Sequence, residues 1–301
     1  MKGFVYIFVF ITQLAICQNS RQPVIIDSDA GTDDYRAILL FTQLKNIDIK
    51  AITLSDGTLF PDKGAVRVTK LLTCLDKKNI FVGVGKKTMF TKPVWRSFAE
   101  NVPWSDCKLG DSIKDFPNAT QVINKILDEM PQKSITFICL GSLSNLYETL
   151  MINPSAKDKL KEIIWYNSTN IKQGTNYTFE PKAAEYILNQ PIKIKIISTL
   201  NGKHINYDTT LINKIQTIKT EQASLITKQI RYLSMQSNIS HLQCWDELCA
   251  AYIANPRIFT FKERIENPYI HEIYNYEVEP VKSTLINILN GKCKQESGVI
   301  F

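Results

Sequence analysis

Short apolar runs alternate along the chain with longer stretches in which apolar positions recur every three or four residues. PVIID (23–27), IKAITLS (49–55), NIFVGVG (79–85), ITFICLG (135–141), EIIWYNS (162–168) and KIKIIST (193–199) are rich in β-branched residues and read as strands. YRAILLFTQL (35–44), AVRVTKLLTCL (65–75), ATQVINKILDEM (119–130), KAAEYILNQ (182–190) and WDELCAAYIAN (245–255) carry the helical period. Strands this continuously apolar must be covered on both faces. The alternation therefore predicts an α/β fold: an open, mostly parallel, doubly wound sheet with helices on either side, in a single domain. Sites in such sheets lie beyond the carboxyl ends of the strands. No internal repeat, low-complexity tract or linker interrupts the pattern, and the loop-rich segment from about Lys87 to Phe116 suits a lid or rim.

Composition narrows the picture without redirecting it. With 301 residues, 44% hydrophobic and 22% charged, the chain can bury a large core and is neither disordered nor fibrous. At the start, Lys2 precedes an apolar run from Phe4 to about Cys17, which reads as a signal peptide over 1–19 and leaves a domain over 20–301. A secreted or lumenal protein is expected, with no membrane partner once the signal is removed, since no later segment is apolar enough to span a bilayer. Sequons stand at Asn118, Asn167, Asn176 and Asn238. Cys17 leaves with the signal. Cys74, Cys107, Cys139, Cys244, Cys249 and Cys293 lack CxxC spacing, which argues against zinc and allows one to three disulfides of open pairing. The formal net charge of +7 is dispersed, as on a solvated surface, and implies no nucleic-acid partner.

The chemistry gathers in VIIDSDAGTDDYRAILLF (24–41), where Asp27, Asp29, Asp33 and Asp34 follow the first strand within eight positions. Held close, four carboxylates repel, so the pattern calls for a cation. Capping of the following helix accounts for one or two of them, not four. DSDAGT superficially resembles the first motif of haloacid-dehalogenase-type phosphatases, and GDSIKD (110–115) their later metal motif, but the Asp33–Asp34 pair has no role in that chemistry. The spacing DxDxxxDD after a strand resembles the nucleoside hydrolases, the inosine-uridine-preferring type, and further segments follow in that family's order. FICLGSLSNL (137–146) looks like the family's strand followed by Gly-x-Leu-Ser/Thr-Asn. CWDELCAAYIANP (244–256) looks like its late helix start. GTNYTFEPKAAEYIL (174–188) places Asn176 where the family has a ribose-binding Asn ahead of a strand and an Asp-Pro-like turn. The resemblance covers about Pro23 to Pro256.

What the resemblance implies is specific. Asp29, Asp34, Asp246 and the Leu140 carbonyl would hold Ca²⁺ through oxygen alone. Asp29 would also take a proton from the attacking water, with Asp33 and Asn176 on the ribose hydroxyls and Asp27 supporting the loop through backbone NH groups. Trp245 stands where pyrimidine-accepting relatives usually carry His, and Trp95, in KPVWRSFAENVP, lies in a stretch resembling the rim of the purine-specific subgroup. Two indoles would sandwich a purine. His204, His241 and His271 show no triad spacing. Gly174 replaces an acidic residue of the family pattern, Thr58 replaces an Asn or Asp lining the pocket, and the loop before Gly174 is shorter than usual. The expected activity is a calcium-dependent purine nucleoside N-ribohydrolase acting on a small nucleoside. A catalytically weakened secreted protein that binds nucleoside or ribose is the alternative, and either leaves room for a homo-oligomer, dimer or tetramer.

Overall fold

The computed structural model describes residues 21–88, 93–106, 115–236 and 242–292. The expected signal peptide, Asn238, Cys107, Cys293, His241 and most of GDSIKD lie outside the described residues. All six strands expected from the apolar runs form: β1 Gln22–Ser28, β2 Ile47–Leu54, β3 Phe81–Val84, β4 Ile135–Cys139, β5 Leu160–Tyr166 and β6 Ile194–Ile197. Two more follow, β7 Phe259–Arg264 and β8 Asn267–Tyr276, an antiparallel hairpin whose β8 joins β6 in parallel. The sheet order is β3-β2-β1-β4-β5-β6-β8-β7.

Alternate residues of each buried strand feed opposite cores. Val24 and Ile26 of β1 join one apolar cluster, together with helices α1 Thr32–Gln43, α2 Pro61–Cys74, α3 Arg96–Ala99, α8 Thr209–Gln216, α9 Glu221–Met235, α10 Glu247–Ala254 and α11 Val278–Leu289. Ile25 points to the other, with α4 Ala119–Glu129, α5 Ser144–Ile152 and α7 Pro181–Leu188. The two layers of helix explain why the strand sequences read as unbroken apolar runs rather than alternating ones.

Strand order reverses beside β1. The chain leaves it toward β2 and β3, then returns to place β4, β5 and β6 on its other side. The crevice beyond the carboxyl ends of β1 and β4 is thus the topological switch point of the sheet. Asp27, Ser28 and Asp29 emerge there on one strand, Leu140 and Gly141 on the other, and the Leu140 NH donates to the Asp27 carbonyl at 2.8 Å.

Candidate functional site

The turn from β1 into α1 gathers the carboxylates. Ala30 takes a left-handed backbone (φ 60°), costly for an L-residue and held here by its NH donating to the Ser28 hydroxyl at 3.0 Å. Asp34 caps the helix from inside its first turn: one oxygen accepts the Gly31 NH at 3.0 Å, the other the Asp29 NH at 3.1 Å and the Ser28 hydroxyl at 2.5 Å. Asp29 accepts the Gly31 NH at 3.2 Å and the Thr58 NH at 2.9 Å, so the β2–α2 loop fixes its carboxylate. That approach requires Gly57, where any Cβ would collide with the Asp29 side chain. Asp27 departs from expectation. It accepts from the side chains of Thr53 at 2.6 Å and Asn145 at 2.7 Å rather than from backbone NH groups, because β2 and α5 reach it before the loop does.

Asp33, Asp34 and Asp246 come together, each offering an oxygen within 4.8 Å of the others. Burial pushes Asp33 up to about 7 and Asp34 up to about 6 from an ordinary value near 3.8. Burial, then the neighbouring Asp34 charge, drives Asp29 and Asp246 well above that range too. Asp246 is buried, and its Oδ1 has no hydrogen-bond partner among the described residues. A cluster of two buried and one half-buried carboxylates, with an orphaned oxygen, fits a hard divalent cation. The grouping differs from the expected one: Asp33, assigned to ribose, sits with Asp34 and Asp246, while Asp29 flanks Asp34. The Leu140 carbonyl lines the same crevice. It accepts one Asn176 amide proton at 2.7 Å, and a carbonyl has a second lone pair to offer.

Above the carboxylates opens a cavity of about 540 Å³, the size of a small-ligand site. Every residue expected at the site lines it: Asp29, Asp33, Asp34, Thr58, Trp95, Leu140, Asn176, Trp245 and Asp246. Thr58 is committed at two atoms, its NH to Asp29 and its hydroxyl oxygen accepting the Trp95 indole NH at 3.2 Å. Asn176 lies in the short helix α6 Thr175–Phe179 rather than ahead of a strand, and a Glu180–Pro181 turn leads on into α7. Its amide nitrogen donates to the carbonyls of Leu140 and Tyr166, at 2.7 and 2.9 Å.

Gly174 is explained by Asn167, which the sequence marked only as a sequon. A Cβ there would fall on the Asn167 side chain, which occupies the space in front of the glycine. Asn167 is buried, donates to the Ile171 carbonyl at 3.0 Å and leaves its Oδ1 without a partner among the described residues. Also missed are two buried ion pairs, Arg96–Asp56 at 2.9 Å and Arg36–Glu247 at 2.5 Å. The signal was present in one: Arg36 is the single cation in the apolar stretch YRAILLF, next to acids that need neutralising.

The family model described as inosine-uridine preferring nucleoside hydrolase matches residues 24–279. The pyrimidine-specific ribonucleoside hydrolase RihA of Salmonella newport (strain SL254) is 27% identical over 60% of this chain and 61% of that protein. RihA of Klebsiella pneumoniae is 24% identical over 80% of this chain and 82% of its own length. The chain thus spans about three-fifths of the length of the first curated relatives it matches. In fold it is similar to the plant nucleoside hydrolase PpNRh1 (TM-score 0.74, 17% identity, 90% of this chain and 99% of that one). It is likewise similar to a purine-preferring ribonucleoside hydrolase from Gardnerella vaginalis (TM-score 0.73, 15% identity, with the same coverage). With the match spanning the sheet, the carboxylate turn and the late helix that brings Asp246, the chain belongs to the inosine-uridine preferring nucleoside hydrolase family, whose members are N-glycosyl hydrolases.

Proposed function

We propose that the protein is a calcium-dependent ribonucleoside N-ribohydrolase that prefers purine nucleosides and works in a secreted or lumenal compartment. The observation that carries this reading is one cavity lined both by Asp29, Asp33, Asp34 and Asp246 and by the two indoles of Trp95 and Trp245. Family membership removes the phosphatase alternative.

When bound, the cation supplies charge stabilisation and a template for sugar and water. The protein's own groups do the rest. Asp29, held by the Gly31 and Thr58 amides, has a carboxylate whose pKa is raised by burial, which makes it a stronger base toward the attacking water. As that proton leaves, the water oxygen bonds to the anomeric carbon, the C–N glycosidic bond breaks, and its electron pair departs with the base. Asn176, tied to two carbonyls, offers a fixed amide to the ribose. Half-buried Trp95 packs on buried Phe179, with ring centroids 6.4 Å apart, which stiffens one wall of the cavity. An indole stacked on a purine contributes on the order of 1 kcal/mol beyond burial, more for the larger base than for a pyrimidine. The RihA relatives carry pyrimidine-specific names, so the purine preference rests on the tryptophans alone. The compartment is supported by the disulfide-bonded state of Cys74.

The test is to incubate purified protein with inosine, guanosine and uridine, with and without chelator, and to assay free base. Release of hypoxanthine and guanine that exceeds uracil and stops on chelation is the expected result. Base release unaffected by chelation, or uracil released as fast as hypoxanthine, rejects the corresponding part. Gly174, with no acidic side chain, favours one second reading: calcium-dependent nucleoside binding without turnover would make the protein a binder on the same fold.

A further inference from the structure

We infer that Arg36 and Glu247 are positioning residues: a buried ion pair that sets the spacing of the carboxylate cage and the seat of Trp245. The inference rests on the cation reading of the site above, not on the identity of the nucleoside. Arg36 stands one helical turn beyond Asp33 on α1, and Glu247 directly follows Asp246 at the start of α10. The two are 211 residues apart in sequence, and both side chains are fully buried.

Every arm of the pair is engaged. The Arg36 Nε donates to Glu247 Oε1 at 2.5 Å, one terminal nitrogen to the Gln229 side-chain carbonyl at 2.9 Å, and the other to the Gln243 backbone carbonyl at 3.0 Å. The guanidinium also lies over the Tyr207 ring at 5.0 Å. Glu247 Oε1 accepts the Tyr207 hydroxyl at 2.9 Å, and its Oε2 accepts the backbone NH of Trp245 at 2.9 Å. Arg36 of α1 therefore grips segment 243–247 at two points, the Gln243 carbonyl and the Glu247 carboxylate, and Glu247 in turn holds the Trp245 NH. Asp246 and Trp245 lie between those points, one a member of the cage and the other a cavity wall.

The physical case is one of opposing charges. The acids at the start of α1 and Asp246 at the start of α10 repel, and without a link nothing would fix the spacing between them to the size of one cation. A planar guanidinium with donors in a rigid fork fixes distance and orientation together, which a point charge cannot do. For the fold alone this arrangement has little to recommend it, because a buried ion pair replaced by uncharged groups of similar volume commonly leaves stability unchanged or raised.

The experiment exploits that asymmetry. Removing one partner strands a buried charge and puts folding at risk, so both charges are removed together in Arg36→Met/Glu247→Gln, which keeps an amide at 247 for the Tyr207 hydroxyl. Melting is compared in chelator, and Ca²⁺ affinity is measured by calorimetry. We expect a chelated melting temperature within a few degrees of wild type, and a Ca²⁺ Kd raised by about tenfold or more, the usual effect of disturbing groups behind metal ligands. KM for inosine should rise more than kcat falls at saturating calcium, since Trp245 loses its seat. Arg36→Lys, which keeps the charge without the fork, should fall between. A double variant with unchanged Ca²⁺ affinity, one that fails to fold, or wild-type protein that binds no Ca²⁺ would overturn the inference. Wild-type protein that binds Ca²⁺ with the expected loss in the variant, yet releases no base from inosine, would sink the proposed activity and leave the clamp standing.

Discussion

At the scale of single residues, the carboxylates differ in what else they support. Asp246→Ala removes an orphaned ligand oxygen and, in chelator, one member of a mutually repelling pair with Asp34, so it should abolish base release and Ca²⁺ binding without lowering the chelated melting temperature. Asp34→Ala should also abolish activity but cost roughly 1–3 kcal/mol of stability as well, because three donors lose their acceptor. Asp29→Asn keeps the size of the side chain and loses the base, at a cost of at least about 10²-fold in rate. Kinetics and denaturant melts on the three variants separate these outcomes; wild-type turnover in any of them rejects the roles assigned. For the base, kcat/KM should favour inosine over uridine by at least about tenfold, equivalent to ~1.4 kcal/mol, and Trp245→Ala should shrink that ratio. A Trp245→Ala effect on stability alone would remove the stacking wall from the account. These residues were legible in the sequence because their types and spacing state their chemistry. Their partners were legible only as positions: Asn145 ends the Gly-x-Leu-Ser/Thr-Asn segment and Thr58 lines the pocket, but that Asn145 and Thr53 hold Asp27 and the Thr58 hydroxyl holds Trp95 is written in no local pattern.

At the scale of elements, the short path from β5 to α7 carries two consequences. Asn167 and Asn176 both form sequons, yet both are buried with their amide nitrogens donating to backbone carbonyls, whereas Asn118 is partly exposed and uses only its oxygen, to cap α4 through the Thr120 NH. An N-linked glycan replaces an amide proton and keeps the oxygen, so peptide mapping of secreted material should find glycan on Asn118 and none on Asn167 or Asn176. Substantial glycan on Asn176 in active protein would take it out of the site. Gly174 sits against Asn167, and Gly174→Ala should lower stability by about 1–3 kcal/mol by displacing that side chain, read in a melt. With Asn167 in place of a carboxylate there, inosine and 5′-deoxyinosine should be hydrolysed with kcat/KM values within about tenfold of each other. A hundredfold loss would show that the unpartnered Asn167 oxygen supplies the missing contact. The sequence showed Gly174 as a departure from the family; it could not show what fills the space, because the filling residue comes from a loop closing on itself.

At the scale of the molecule, the buried acids make stability depend on pH and cation together. In chelator, Asp27 and Asp33 are pushed up to about 7 and Asp34 to about 6, above an unfolded value near 3.8. The folded chain then holds protons that the unfolded chain releases, so the stabilisation is present below about pH 4 and is lost as pH rises through 6 to 7. The chelated melting temperature should therefore fall from pH 5 to 7.5, and a saturating divalent cation, Ca²⁺ on the proposed reading, should flatten that fall by replacing protons between the carboxylates. A chelated Tm that rises over this range would contradict the burial of the cluster.

The sequence by itself determined the alternation of six strands with amphipathic helices, the crowding of acids after the first strand and the late Asp246, because periodicity and residue type are local properties. Tertiary structure alone decided the rest. The hairpin of β7 and β8 at the end of the sheet had no clear period to announce it, since one strand is half exposed and pairs in the opposite sense. Reversal of strand order beside β1 decided where the crevice opens, and closure of α1 on α10 decided that Asp33 joins Asp34 and Asp246 and that Arg36 meets Glu247 across 211 residues. Such meetings are set by which helix faces bury together, and that is a property of the packed whole that no stretch of chain contains.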